Sequence, residues 1–265
     1  MAHDDTHHQG LARDLDVMQK LLHRRRLLQL ATGVGIAAFL GCKASESSPG
    51  GDAGTNGGSC DEIPEETAGP YPGDGSNGAN ALALAGIVRG DIRSTLGGTS
   101  VAGGVPLTVK LNLVDGSCVA LSGYAIYLWH CDREGRYSMY SSGVENENYL
   151  RGVQETDDEG SATFTTIFPA CYSGRWPHIH FEVFPGLNAA TTHDQKVKTS
   201  QLALPEAACH EVFAEPGYEA SVSNLTGVSL ERDNVFSDGV TLQLASIEGN
   251  VTDGYTATLT VAIDA

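Results

Sequence analysis

Basic residues are scarce in this 265-residue chain: 16 Lys and Arg stand against 33 Asp and Glu, a formal net charge of −17. That balance excludes nucleic acid as a partner, because phosphate backbones reward clustered Lys and Arg. It gives no support for binding anionic lipid headgroups either. Aromatic residues are few, at 7%, so nothing announces a purely hydrophobic binding groove. No fixed-period internal repeat is present. A long apolar run is also missing: the stretch ATGVGIAAFLGC (31–42) is too short and too rich in Gly and Ala for a spanning helix. What is there is a 41% apolar composition over enough length for one sizeable domain.

Residues 1–42 read as an export segment rather than as fold. HRRRLLQL (23–30) puts a basic patch before the apolar stretch, and Arg24, Arg25 and Arg26 followed by two Leu fit a twin-arginine signal. FLGC (39–42) resembles a lipobox, which would place a lipid on Cys42, although Phe39 stands where Leu is usual. Residues 43–59 are mostly Ser, Gly and Asp with almost nothing to bury, a flexible tether. The folded domain is expected over 60–265. The protein is expected to be exported, whether periplasmic, membrane-tethered or extracellular, with a membrane contact only through the N-terminal lipid or signal. Five further cysteines, at 60, 118, 131, 171 and 209, match no zinc spacing. In an oxidising compartment they allow two disulfides and one free thiol, with the pairing left open.

From residue 81 onward, short apolar or alternating runs are separated by Gly, Asp, Asn and Ser. Strands are predicted at 82–88, 107–114, 124–130, 162–167, 178–184, 240–244 and 255–263. A helix is predicted at 206–213, behind Pro205. Many short strands with turn residues between them indicate an all-β fold, a sandwich or a barrel.

The stretch RWPHIHFEVF (175–184) carries the first chemical clue. Its alternation is that of a strand, and side chains at i and i+2 leave a strand on one face. His178 and His180 therefore point the same way and can converge on one atom; neutral imidazole is the commonest metal ligand. Alone, such a pair reads as two half-exposed histidines on a polar face. Two tyrosines change the balance: Tyr137, presented by a turn with Gly135, and Tyr172, in a Pro/Gly-rich loop just before His178. Singly each reads as a half-buried ring. Together, two phenols and two imidazoles suit a ferric ion, because a tyrosinate at neutral pH needs a strong neighbouring cation and hard charged oxygen favours the higher oxidation state. No carboxylate accompanies the pair to make a 2-His-1-carboxylate site, and zinc would more often recruit Cys or a third His. A binding module without turnover, a surface protein with a vestigial site, and a hydrolytic zinc site remain the rival readings.

GRY (135–137), the block from 149 to 172, and GRWPHIHFEV (174–183) resemble the intradiol ring-cleavage dioxygenases, the family of protocatechuate 3,4-dioxygenase and catechol 1,2-dioxygenase. PEETAGPYP (64–72), SQLAL (200–204) and RDNVFSDG (232–239) resemble further blocks of that family, so the likeness runs from Cys60 to the C-terminus. The resemblance implies a two-sheet β-sandwich with short helical and loop insertions. It implies a non-haem Fe(III) held by Tyr137, Tyr172, His178 and His180, with Tyr172 the ligand that leaves when substrate binds. Arg175 matches an arginine that stabilises charge on the substrate ring, and Gln201 an active-site glutamine, though an apparent insertion separates it from the histidines. Thr67, Gly69, Pro70 and Tyr71 match a segment that lines the substrate pocket. The implied reaction cleaves a catechol between its hydroxyls with O₂, giving a muconate-type diacid; the implied partners are a small aromatic diol and O₂. The alternative is an exported iron- or phenolic-binding sandwich without turnover.

Several details sit outside the pattern. Cys171 stands beside Tyr172 where a bulkier residue is usual, which bears on pocket shape. The N-terminal helical dimer segment of catechol 1,2-dioxygenases is absent, and a homo-oligomer is left open. His130 is read as a structural or supporting residue, and Asp132 and Glu134 as turn residues. For a substrate bearing a carboxylate, Lys196, Lys198 and Arg151 are the candidate cations, and loops 141–149 and 185–198 the segments that set pocket size.

Overall fold

A computed structural model describes residues 59–265; the export segment, the lipobox at Cys42 and nearly all of the tether lie outside the described residues. In chain order the strands are β1 (Pro106–Asp115), β2 (Ala125–Trp129), β3 (Arg151–Glu155), β4 (Ser161–Ile167), β5 (His178–Phe184), β6 (Lys198–Ala203), β7 (Ser246–Asn250) and β8 (Gly254–Ile263). Two helices, α1 (Glu206–Phe213) and α2 (Glu219–Thr226), fall between β6 and β7. The strands form two four-stranded sheets, ordered β4-β1-β8-β7 and β3-β2-β5-β6. All pairings are antiparallel except β1 with β8, which run parallel. This is the two-sheet β-sandwich that the strand spacing and the family resemblance lead one to expect.

Alternation builds the sandwich. In β1, Leu107, Val109, Leu111 and Leu113 all turn inward and are almost fully buried. They meet Ile126 and Leu128 of β2 and Ile179, Phe181 and Val183 of β5 in one apolar cluster. Burying each such side chain contributes roughly 1.5–3 kcal/mol.

The second sheet is buried on its other face as well. All seven residues of β5 are buried, including His178, His180 and Glu182. The cover is the irregular segment from 63 to 84, which closes a second apolar cluster over Tyr127, Trp129 and Tyr137. It runs along β6: Glu66 N donates to Thr199 O at 2.8 Å, and Ser200 Oγ donates to Pro64 O at 2.8 Å. The covered face explains why β6 escapes sequence-based prediction. KTSQLA is polar, yet every residue of it is buried, because the covering segment supplies its hydrogen-bond partners. β3 is missed for a related reason: RGVQE contains Gly and Arg, and Arg151 is buried only because distant carbonyls surround it.

Two predicted strands are not strands. Residues 82–88 are turns, touching the sheet only where Val88 bridges Val153, and 240–244 is a turn with Leu244 bridging Ala203. Both are short apolar runs in loops: Leu82 and Ile87 are buried, Val240 and Leu242 only partly, and Val88 and Leu244 are exposed. α1 lies at the predicted residues, with Pro205 at its N-cap.

Among the described residues one disulfide forms, Cys60–Cys118, tying the start of the domain to the loop after β1; Cys131, Cys171 and Cys209 are buried thiols. The two-disulfide arrangement allowed by the cysteine count is therefore not the one adopted. Because the bond closes a loop of 58 residues, the Cys60→Ser/Cys118→Ser variant is expected to lose roughly 2–4 kcal/mol of unfolding free energy, measured by denaturant titration against the oxidised protein.

Candidate metal centre and active site

Three segments bring four side chains to one point. β5 supplies His178 and His180 from one face, held rigid between β2 and β6. The loop after β2 supplies Tyr137. Asp132 shapes that loop, its Oδ1 accepting from the amides of Glu134 and Arg136 and its Oδ2 from Arg136 Nε at 2.9 Å. The loop between β4 and β5 supplies Tyr172. The two loops approach closely at Gly135, whose φ is +83° and where an added Cβ would lie 3.3 Å from Tyr172 Cβ.

The four polar atoms form a closed ring. Tyr137 Oη is 3.3 Å from His180 Nε2 and 3.4 Å from Tyr172 Oη; Tyr172 Oη is 3.2 Å from His178 Nε2; the two Nε2 atoms are 3.1 Å apart. These edges exceed the ~2.8 Å expected of a good bond to a hydroxyl. They match the ~3.0–3.4 Å separation of ligands placed about 2.1 Å from a common ion. His178 Nδ1 donates to Trp176 O, which leaves its Nε2 as a lone pair aimed into the ring. His180 stacks on Trp129 at 4.9 Å and 5°. Burial, with Arg175 and the neighbouring imidazole adding, pushes both histidines well below their ordinary pKa, so they are neutral and able to ligate. Burial pushes Tyr137 well above its ordinary range and Tyr172 up to about 12, so both stay phenols until a cation arrives. Among the described residues no group of three His, Cys, Asp or Glu side chains gathers to hold a metal. The donor set is two imidazoles and two phenols, and it fits a hard trivalent ion.

Arg175 stands beside the ring, its Nη1 3.5 Å from His178 Nε2. Its Nη2 donates to Gln201 Oε1 at 2.7 Å. Gln201 thus lies at the site despite the insertion before it, because the β5–β6 pairing places it opposite His180. The 185–198 loop bulges out at the far end of the hairpin without disturbing that register.

The family model described as Dioxygenase matches residues 85–206, a span that includes all four ring residues, Arg175 and Gln201. An intradiol ring-cleavage dioxygenase from Tetranychus urticae is 25% identical, over 77% of this chain and 95% of that one, with a TM-score of 0.61. The 3-chlorocatechol 1,2-dioxygenase of Rhodococcus opacus 1CP shares the fold at 17% identity, over 76% of this chain and 71% of that one, with a TM-score of 0.50. The family model that the chain matches and the solved structures that it resembles point to the intradiol ring-cleavage dioxygenases.

In this protein the covering segment passes directly over the ring. Gly69, at φ +71°, sits so close that a Cβ there would lie 3.5 Å from His180 Cε1. Thr67 O accepts from Gln201 Nε2, and Thr67 Oγ1 accepts from Gly69 N. Tyr71 packs 5.2 Å from the Tyr137 ring and 5.3 Å from Tyr140. Pro70 O is held by Asn77 Nδ2. The four residues of the predicted pocket segment are thus neighbours of the ring or of its supports.

The candidate cations for a substrate carboxylate are all engaged elsewhere. Arg151 is buried under the covering segment, donating to Tyr71 O, Pro72 O, Ser138 O, Ser138 Oγ and Tyr127 Oη. Lys196 pairs with Glu182 and Asp74, and Lys198 with Glu62 and Glu65. Cys171 packs into the main inter-sheet cluster rather than among the four donors, so it does not shape the pocket as its position suggested. His130 bonds Cys131 O and Thr166 Oγ1 away from the ring, as a structural residue. Sequence reasoning missed three residues here: Trp129, Tyr140 and Asp233. Trp129 was legible in principle, lying in a strand two residues after Tyr127; Asp233 lies in the 232–239 block that resembles the family, but its role did not show there, since Arg175 and Trp176 are 58 and 57 residues away.

Arg151 carries a prediction. Arg151→Met removes the guanidinium donors to Tyr71 O, Pro72 O and Ser138 O, of which Pro72 O keeps Tyr127 Oη, at about 1–3 kcal/mol for a buried group left unsatisfied. The expected outcome is faster hydrogen exchange confined to 71–73 and the residues that precede them, with the β5 amides still protected, read by mass spectrometry.

Proposed function

We propose that this enzyme is a non-haem Fe(III) dioxygenase that cleaves a catechol between its two hydroxyls, placing both atoms of O₂ in a muconate-type diacid. The observation that carries the reading is the ring of Tyr137, Tyr172, His178 and His180. Its donors are two buried neutral imidazoles and two phenols, 3.1–3.4 Å from one another, a spacing that suits four ligands of one ion. Tyr137, Tyr172, His178 and His180 would hold the ferric ion, which would supply Lewis-acid activation of a bound catecholate toward O₂.

The chain's own residues do the rest. Tyr172 is the less buried of the two tyrosines, and its Oη is the atom best placed to take a proton from an incoming catechol hydroxyl. Tyr137 is nearly fully buried and pinned between Tyr71 and His180, so it stays in place. Arg175 holds a fixed positive charge at the ring's edge, where negative charge on a substrate carbon is stabilised in a dry site. The covering segment excludes water above His180.

Iron-loaded protein is expected to be red-brown from tyrosinate-to-iron charge transfer, with the band moving to longer wavelength on anaerobic addition of catechol and O₂ consumed stoichiometrically once air is admitted. Tyr137→Phe should bleach much of the colour, and His178→Ala should lower iron content. A colourless iron-loaded protein that consumes no O₂ with any catechol overturns the reading. We also propose that the domain acts outside the cytoplasm, on diffusing phenolics. The support is the basic-then-apolar pattern of residues 23–42; recovery of the protein only in the cytoplasmic fraction of its native host would refute it.

A further inference from the structure

Asp233 is fully buried, in the turn that follows α2. Both carboxylate oxygens are in use. Oδ1 accepts from the amides of Val235 at 2.8 Å and Phe236 at 3.2 Å. Oδ2 accepts from Arg175 Nε at 2.9 Å and from the Trp176 amide at 2.7 Å. One carboxylate therefore clamps the root of the strand that bears the histidines and, through Nε, the plane of the arginine beside them. The same turn brings Phe236 within 6.5 Å of the His178 ring.

Arg175 is consequently held on two of its three nitrogens: Nε by Asp233 and Nη2 by Gln201, which is itself tied to Thr67 O. Only Nη1 is directed at the donor ring. A guanidinium is planar, so fixing two nitrogens fixes the direction of the third. An arginine on its own four-bond stem would sample many rotamers and would have to be ordered whenever substrate bound.

We propose that Asp233 is a positioning residue: it presets Arg175, so that the substrate ring meets a positive charge already oriented at the site. This rests on the reading of Arg175 as the group that stabilises charge on the substrate. Asp233 makes no hydrogen bond to any of the four donors, and the role proposed for it is the one it exerts through the arginine.

The test uses Asp233→Asn. Its remaining oxygen can serve one pair of N–H groups, and its NH₂ then opposes the other pair, so the double-sided clamp is lost while volume is kept. With the full-length iron-loaded enzyme, kcat is expected to fall about tenfold to hundredfold, the scale of a misplaced catalytic group. KM should change less than about threefold, with iron content and the resting absorption band unchanged. In an Arg175→Met background the same substitution is expected to add no further loss, because its effect passes through the arginine. A full additional loss in that background, or a change in iron content with kcat intact, overturns the proposal. If Asp233→Asn alone does not fold, Arg175→Met/Asp233→Asn is expected to fold, since a buried pair can be replaced together where removal of one partner is not tolerated; a double variant that also fails overturns it. One readout is independent of iron. In metal-free protein the Arg175 Nε–H should exchange slowly by NMR, and it should lose that protection in Asp233→Asn. This separates failure of the clamp from failure of the catalytic reading: a wild-type enzyme that neither colours nor turns over sinks the latter, whereas an unprotected Nε–H in the wild type sinks the former.

Discussion

The site depends on the burial of the polar face of β5. A strand with His178, His180 and Glu182 on one face would ordinarily show that face to water, where the imidazoles would be solvated and free to protonate. Here the segment from 63 to 84 lies across it, and His178 and His180 are 2% and 3% exposed. Burial then does several things at once. It keeps the histidines neutral, it holds the tyrosines as phenols until a cation is present, and it strengthens every charge interaction near the ring.

Such a cover is costly to hold, because an irregular segment brings backbone groups that must be paired. Three of the few basic residues of this acidic chain, Arg151, Lys196 and Lys198, take part in that task. Arg151 spans the gap to Tyr71 and Pro72; Lys196 reaches from the 185–198 loop to Asp74 and Glu182; Lys198 binds Glu62 and Glu65. Arg175 is engaged in the same way with Asp233 and Gln201. The cations that look free in the sequence are struts between segments far apart in the chain. The binding face that remains is made of tyrosine rings, a glycine and one clamped arginine.

The sandwich was legible where its strands alternate cleanly. β1, β5 and β8 each carry a strict apolar face, β2 is apolar throughout, β4 buries Ala162 and Phe164 on one side, and α1 follows a proline. β3 and β6 were not legible, because their residues are polar and are buried only against partners from elsewhere. Residues 82–88 and 240–244 misled for the opposite reason: they are apolar, but they lie in turns.

The convergence of Tyr137, Tyr172, His178 and His180 follows the same division. By itself the sequence determined that His178 and His180 share a strand face, since a period of two leaves no alternative, and that two tyrosines sit in glycine-bearing loops. It also placed Arg175 and Gln201 in recognisable blocks. Only the tertiary structure decided that the loops after β2 and β4 meet at that face, that the β5–β6 register sets Gln201 opposite His180, and that Asp233 reaches back across 58 residues to hold Arg175. Local periodicity is a property of a few consecutive residues. A buried carboxylate that orients an arginine is a property of where two distant turns come to rest, and no window along the chain contains both.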